Sequence, residues 1–539
     1  MWFSAHFYLG NMKNLFIIAK YFSPKSVKHN QMKMNFRVKS QWLAAIMLPL
    51  MFAGCVPKDR SRTTGQYYNS PKWGGFANPK YQGQETGPGL VLVEGGSFTM
   101  GSTENDLRYD NNNVERTATV NSFYMDETEV SNLDYRGYVY WLMRTFVDYP
   151  EVYNQALPDT NCWRSKLGYN EPFVDYYFRH PAYKDYPVVG VNWQQATDFA
   201  KWRTDRVNEY IIDRECIMKF TIAQDATGEN NFNTRAYLAG QYDFLKKGKT
   251  PLKDYSKLKK KDRKRYKVGM EDGVLLPDYR LPTEAEWEFA AQANIGNTQF
   301  ENIDQKRIYS WDDYTIRIKD GNETDRGKIR MNAMRGKGDF GGVAGGPLND
   351  AGFITTPVYS YWPNAYGLYN MSANVSEWVM DVFRPLSMED MDAFMPFRGN
   401  VYKTLVMDQY GAIEQKDSLG RLQFRDVTES DNVNRRNYRK ADNIGFKDED
   451  NYNNGEMIYE YGVTSLVNNK AHVFKGASWN DRTYWASPGT RRFLDEKQSL
   501  STLGFRCAMI RIGSPVGNSK EKYNKLPSSG IDKKTKKKR

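Results

Sequence analysis

The sequence predicts an α+β fold rich in loops, with few regular elements for its length of 539 residues. Three observations carry that prediction. Short apolar runs near the front are split by a glycine pair, as in two strands joined by a turn. Three segments combine helix caps with apolar residues at helical spacing. From about residue 300 onward, glycine, asparagine and aromatic residues replace any periodicity. Aromatics make up 14% of the chain. Large rings fill the irregular gaps of such a core, and tyrosine hydroxyls satisfy stray backbone groups.

The first pair of strands spans Gly89 to Gly101, divided at Gly95 and Gly96. Ser131 to Asp134 then supply a cap for a helix running through about Phe146. Asn192 opens a second helix, with Ala196, Phe199, Ala200 and Val207 as its apolar positions. The third starts at Pro282: proline in the first turn, Thr283 and Glu286 as caps, Trp287 and Ala290 facing inward.

The first 54 residues read as an export signal. Arg37 and Lys39 precede an apolar run from Trp42 to Phe52, about eleven residues against the roughly 20 of a membrane-spanning helix. Phe52-Ala-Gly-Cys55 follows and looks like a bacterial lipobox, which makes Cys55 a lipidation site. The plain alternative is an ordinary cleaved signal. The true start is expected at Met34 or nearby. Residues 55–89 suit a flexible tether, and residues 513–539 a basic flexible tail.

The formal charge of +12 is a poor guide to partners. Residues 1–54 hold seven Lys or Arg and no acid, the tail from Ser519 holds +7, and the rest is near −2. A nucleic-acid surface spread over a fold is therefore not expected. Cys162, Cys216 and Cys507 are scattered, so no thiolate metal site is indicated. After Cys55 the chain has only His180 and His472, so a two-histidine iron triad is not expected, nor is copper.

Four segments carry a family signal: Pro187 to Trp193, Arg280 to Ala290, Pro363 to Met371 and Leu503 to Ala508. Together they resemble the formylglycine-generating enzyme (sulfatase-modifying factor) superfamily. Val120 to Val130 is similar to one of that family's strands. The resemblance implies the loop-rich, C-type-lectin-related fold over residues 90–512, with insertions at about 206–273 and 385–470. The first insertion holds a basic stretch, Lys246 to Lys267, which reads as a solvated face or a docking surface. Such charged segments are expected as surface loops or small additions.

The family oxidises a substrate cysteine with two cysteines just before the final Gly-Phe-Arg. In this chain Asp481 and Ala486 stand at those positions. The resemblance therefore implies a pseudoenzyme with no catalytic residues, and Ser478, Trp479, Asp481 and Arg482 mark its vestigial cleft. Cys507 corresponds to a cysteine whose usual partner position is Ala200, which leaves a buried free thiol. The resemblance also implies structural calcium. One site would use the side chains of Asn370 and Glu377 and the carbonyls of Ala373 and Val375; a second would use Asn332 and Asp350. The plain alternative is that these groups only cap turns.

Ala156 to Arg164, Tyr177 to Tyr183 and Trp202 to Glu209 resemble gliding-motility lipoproteins of type IX secretion machinery. That implies an outer-membrane lipoprotein on the periplasmic face. Its partners would be other secretion lipoproteins and periplasmic ring subunits, with no nucleic acid. A peptide- or glycan-binding module in the old cleft stays open, as does an active oxidase.

Overall fold

The computed structural model describes residues 60–81, 83–102, 106–108, 112–219, 228–242, 246–295, 306–319, 323, 325–338, 352–384, 392–432 and 469–513. The lipobox and the tail beyond residue 513 lie outside them. The chain divides into two compact units at Tyr68, and the second carries the fold. In the first, Arg60 pairs with Tyr67 across a turn.

The anticipated first strands form as β1 (Leu90–Val93) and β2 (Gly96–Met100). They do not pair with each other. β2 pairs with β3 (Arg116–Val120), while β1 pairs with β4 (Phe123–Asp126). Helix α1 (Asn132–Thr145) starts at Ser131, whose hydroxyl accepts from the Asp134 amide at 3.2 Å. Helices α2 (Pro150–Ala156) and α3 (Glu171–Tyr176) follow. In α4 (Trp193–Arg214), Asn192 and Gln195 bond each other's backbone amides in a capping box at 2.9 Å. The helix continues past the boundary at 206, so its last two turns belong to the scaffold.

Beyond α4 come the short strands β5 (Met218–Lys219), β6 (Lys246–Lys247), β7 (Leu252–Lys253) and β8 (Lys264–Arg265), with helix α5 (Thr234–Leu238) among them. β9 (Tyr279–Arg280) leads into helix α6 (Glu284–Gln292). Thr283 is the N-cap of α6, so Pro282 stands before the cap and not in the first turn. α6 is buried along its whole length.

Among the described residues between 306 and 375 regular structure is sparse, and it then gives way to strands. These are β10 (Ser376–Val382), β11 (Lys403–Leu405), β12 (Phe424–Asp426), β13 (Ala471–Lys475), β14 (Arg492–Asp495), β15 (Leu503–Gly504) and β16 (Ala508–Ile510). Two four-stranded sheets result, ordered β1-β4-β16-β9 and β14-β13-β10-β15. The segment Leu503–Ile510 contributes one strand to each. β15 runs parallel to β10, and β16 antiparallel to β4, with Phe505, Arg506 and Cys507 crossing between. Every residue of β13 is buried, and every residue of β10 but Met380, so neither shows the alternation that marks a half-exposed strand.

Phe505 packs with Tyr135 of α1 and Phe199 of α4, ring centroids 5.4 to 6.2 Å apart. A second core gathers β2, β3, β4 and α6 around Trp287. His472 of β13 lies flat on Trp193, ring centroids 3.8 Å apart, and its Nδ1–H donates to the Met380 carbonyl at 3.2 Å. Burial, reinforced by Arg384, lowers its pKa to about 4.

The described parts of the two insertions pack together. Ile212, Ile217, Phe232, Tyr237, Tyr242 and Val268 share an apolar cluster with Leu422 from the second insertion. Gln241 clamps the join, donating to the Glu414 carbonyl at 2.9 Å and accepting from the Lys416 amide at 2.8 Å. Most of that cluster comes from the first insertion; the second contributes Leu422, with Leu405 and Ile413 packed against it. Residues 69–89, read as tether, lie along the fold instead. Gln84 exchanges hydrogen bonds with the backbone of Ile510 and Ile512 at 3.1 and 2.7 Å, and both oxygens of Glu85 accept from Arg214 at 2.7 Å.

Two expectations follow. Phe232→Ala should cost about 3–5 kcal/mol of local stability. Limited proteolysis should then cut both insertions together while the two sheets resist; cleavage confined to the first would refute the shared core. The lowered pKa of His472 means that the unfolded chain binds a proton first as pH falls. Its contribution is complete above the usual 6.5 and is lost as pH drops through about 4. Between those values the wild type should lose about 3 kcal/mol more than His472→Gln, read by denaturant unfolding at each pH.

Candidate functional site

The stretch from Lys475 to Ala486 leaves β13, turns at Gly476 and ends in a single 3-10 turn. Gly476 has φ 77°, and a Cβ there would press on the Trp287 ring at 3.2 Å, so the position is reserved for glycine. Lys475 is fully buried, 3.4 Å from Glu284 and 3.1 Å from Glu288 on α6. Arg491 approaches Glu284 at 2.6 Å, completing a cluster of two cations and two carboxylates.

Asp481 and Ser478 are brought together, but in a locked arrangement. Asp481 accepts from the Ser478 hydroxyl at 2.6 Å and from the Ser478 amide at 2.9 Å. Both of its oxygens also accept from Arg492 at 2.9 Å. Arg492 is itself held, donating to the Ser376 hydroxyl and the Gly476 carbonyl, its guanidinium 4.7 Å from the Trp485 ring centroid and 4.8 Å from that of Phe474. A general base must offer an unengaged lone pair to the proton it takes. Here the carboxylate is neutralised by a bidentate cation, a strong and directional pairing. Ala486 is sealed among Ile329, Met331, Ala333 and Ala477. Arg482 is exposed and precedes the 3-10 turn without a side-chain cap.

Trp479 points away from Asp481. Its ring stacks on Trp163 at 5.9 Å, and its Nε1–H donates to the Ser501 carbonyl at 3.2 Å. Cys162 and the wholly buried Cys507 have thiol pKa values raised to about 12, by burial first and by Asp159 or Asp126 second. Both are therefore protonated at neutral pH, and a thiol in that state is a weak nucleophile. Cys507 carries no disulfide.

The residues named for calcium separate. Asn332, Asn370 and Ala373 line one cavity of about 60 Å³ together with Ser310 and Trp311. Glu377 is not among the residues lining it, and its carboxylate is taken. Arg506 donates to its two oxygens at 2.6 and 2.7 Å, and the Trp287 Nε1–H donates at 2.7 Å. Val375 is packed with Trp163 and Tyr177 in an apolar cluster. Asn370 donates to Glu129 at 2.9 Å, and Asn332 bridges the Ile354 carbonyl and the Gly352 amide at 2.7 and 3.1 Å. Asp350 lies outside the described residues. The set does not fit a calcium ion, because its one described carboxylate is already neutralised by Arg506. Among the described residues, no cluster of three or more His, Cys, Asp or Glu could hold a metal.

Sequence reasoning missed Arg492, Asn374 and Glu129. Arg492 reaches Asp481 only through the β13–β14 register, which sets it opposite Phe474. Glu129 accepts from the amides of Asn370 and Asn374 at 2.9 and 3.0 Å. Burial raises its pKa to about 7, with Arg506 opposing and Glu377 adding to the rise. Its place in the quoted strand from Val120 to Val130 was the available signal.

Residues 75–510 match the sulfatase-modifying factor enzyme 1-like domain, and the chain belongs to that family. It is 26% identical over 312 residues to a formylglycine-generating enzyme of Thermomonospora curvata, covering 57% of this chain and 75% of that one. The mouse formylglycine-generating enzyme is 23% identical, covering 54% of this chain and 58% of its own length. Mouse inactive C-alpha-formylglycine-generating enzyme 2 is 23% identical, covering 58% and 75%. Among solved structures, PvdO from Pseudomonas aeruginosa is 15% identical with a TM-score of 0.36, over 78% of this chain and 93% of that one.

Glu377→Gln should cost about 3–5 kcal/mol, since it leaves Arg506 charged and unpaired in the interior. Pairing it with Arg506→Met should recover part of the loss. Millimolar calcium or a chelator should leave the Tm of the wild type unchanged. A calcium-dependent rise that disappears in Glu377→Gln would instead assign this carboxylate to an ion.

Proposed function

We propose that this family member is a non-catalytic, lipid-anchored protein of the outer membrane that supports assembly of a type IX secretion and gliding-motility complex. The observation that carries the reading is the state of the two cysteine positions. Asp481 is bound by Arg492 on both oxygens, and Ala486 is sealed in apolar packing. The cysteine oxidation that the family resemblance implies has no thiol pair to use at that place. A mouse relative named as inactive supports the idea that this scaffold can serve without the reaction.

The assembly role draws on the segments from Ala156 to Arg164, Tyr177 to Tyr183 and Trp202 to Glu209, which resemble the gliding-motility lipoprotein GldJ. Cys55 would carry the acyl chains, and the joined insertions would offer surface to neighbouring secretion lipoproteins and periplasmic ring subunits. A second reading has one specific observation in its favour. Trp479 stacks on Trp163, Phe173 lies 5.3 Å from Trp163, and the exposed Phe353 lies 6.4 Å from Phe173. Trp163 is buried, so the exposed Phe353 and the part-buried Phe173 and Trp479 are the rings that a glycan or an apolar peptide side chain would meet.

Affinity purification of the lipoprotein from detergent-solubilised envelopes separates the readings. Assembly predicts recovery of other secretion lipoproteins and ring subunits, unchanged by Trp479→Ala. Recovery that collapses with Trp479→Ala favours the aromatic site. Conversion of a cysteine-containing sulfatase peptide by the purified protein would sink the non-catalytic reading.

A further inference from the structure

The hairpin β7–β8 ends in a tip that combines positive charge with an exposed apolar residue. Lys257, Lys259, Lys260 and Lys261 are exposed. Lys257 is near enough to Asp254 to help lower its pKa, and Asp262 stands exposed in the same turn, and the tip still keeps a net positive charge. Between these lysines stands Leu258, 76% exposed. Arg263 does not share this outward role, since it donates to the carbonyls of Lys257 and Leu258 at 3.0 Å and braces the loop.

A second segment is pressed against the same hairpin. Gly75 packs on the backbone of Tyr255 and Ser256 so closely that a Cβ there would meet the Tyr255 carbonyl oxygen at 2.4 Å. The residues flanking that contact are Lys72, Trp73 and Phe76. The Lys72 ammonium lies 5.8 Å from the Trp73 ring centroid; Trp73 is 42% exposed and Phe76 69%. Segments almost two hundred positions apart in sequence thus bring tryptophan, phenylalanine, leucine and five lysines to one patch.

We propose that this patch docks on the surface of an anionic lipid bilayer and orients the folded domain against it. Protein–protein interfaces favour arginine and tend to exclude lysine. Lysine around tryptophan, phenylalanine and leucine is the composition of a surface lying in the lipid headgroup layer. There the rings and Leu258 enter the acyl boundary, while the ammonium groups stay with the phosphates. Cys55 has no part in this patch, and docking is expected whether or not the chain carries acyl groups.

The test uses the chain from residue 56 onward, which lacks the segment read as an export signal and cannot be acylated at Cys55, and flotation with vesicles. One set is pure phosphatidylcholine; the other contains roughly a third phosphatidylglycerol, enough for a negative surface potential. The protein should float with the anionic set alone. Reversing four charges (K257E, K259E, K260E, K261E) should reduce partitioning at least about a hundredfold, given the contribution of each lysine near such a surface. Circular dichroism should show the same melting curve. L258A and the W73A/F76A pair should each lower binding severalfold, most clearly at high salt, where charge attraction is screened.

Failure of the wild type to float with anionic vesicles overturns the proposal. So does unchanged binding by the charge-reversed protein, which would assign the affinity to the basic tail. If charge reversal abolishes binding but L258A and W73A/F76A bind as wild type, nothing enters the lipid and the proposal falls to an acidic polymer or protein surface. None of these results bears on recovery of secretion partners, so this proposal and the assembly reading fail independently.

Discussion

A guanidinium cannot be left unpaired in a protein interior, and the position of Arg506 makes that constraint govern the whole fold. The residue is wholly buried on the segment that passes from one sheet to the other. Glu377 of β10 neutralises it, and the carbonyls of Asp126 at the end of β4 and of Tyr369 in the loop before β10 accept its remaining donors at 3.1 and 2.8 Å. Trp287 of α6 binds the same carboxylate. One ion pair thus fixes both sheets, a helix and a loop to a common point. Desolvating two charges is costly, so such a pair is weak evidence for net stability. What it supplies is geometry, because any slip of one element would strand a charge.

The same economy of fixed charges explains the chemistry of the cleft. Lys475, Arg491, Glu284 and Glu288 balance each other, and Arg492 balances Asp481. Asp381 nearby is disfavoured as an anion, its pKa raised to about 7 by burial and by repulsion from Glu284. In this setting Asp481 acts as a structural anion, orienting Arg492 between Phe474 and Trp485. Asp481 and Ala486 are each held by pairing or packing, and surface loops are where a scaffold of this kind most readily varies.

That surface is built by cooperation between distant segments. The insertions gain order from a shared cluster, and residues 69–89 gain it by lying along the fold. The strap also explains why exposed aromatics can be held beside the lysine hairpin. Gly75 permits a backbone approach that any side chain would forbid. Sequence position alone would have left these aromatics in a tether and the lysines on an unrelated loop.

The sequence by itself determined the α+β class, the three capped helices and the family, because caps, helical spacing and the four motif segments are local signals. Through the family resemblance it also pointed to Asp481 and Ala486 as the residues expected at the two cysteine positions. It did not determine the second sheet, since β10 and β13 are buried on both faces and lose the alternation that would mark them. It placed Glu377 at a calcium site, whereas tertiary structure set it against Arg506, more than a hundred residues away. Nor did any local feature link Asp481 to Arg492 or Phe232 to Leu422. Charge pairing in an interior and the sharing of a small core depend on which segments meet. Only the folded chain decides that, because the partners are set by strand register and packing, far beyond the reach of any local pattern.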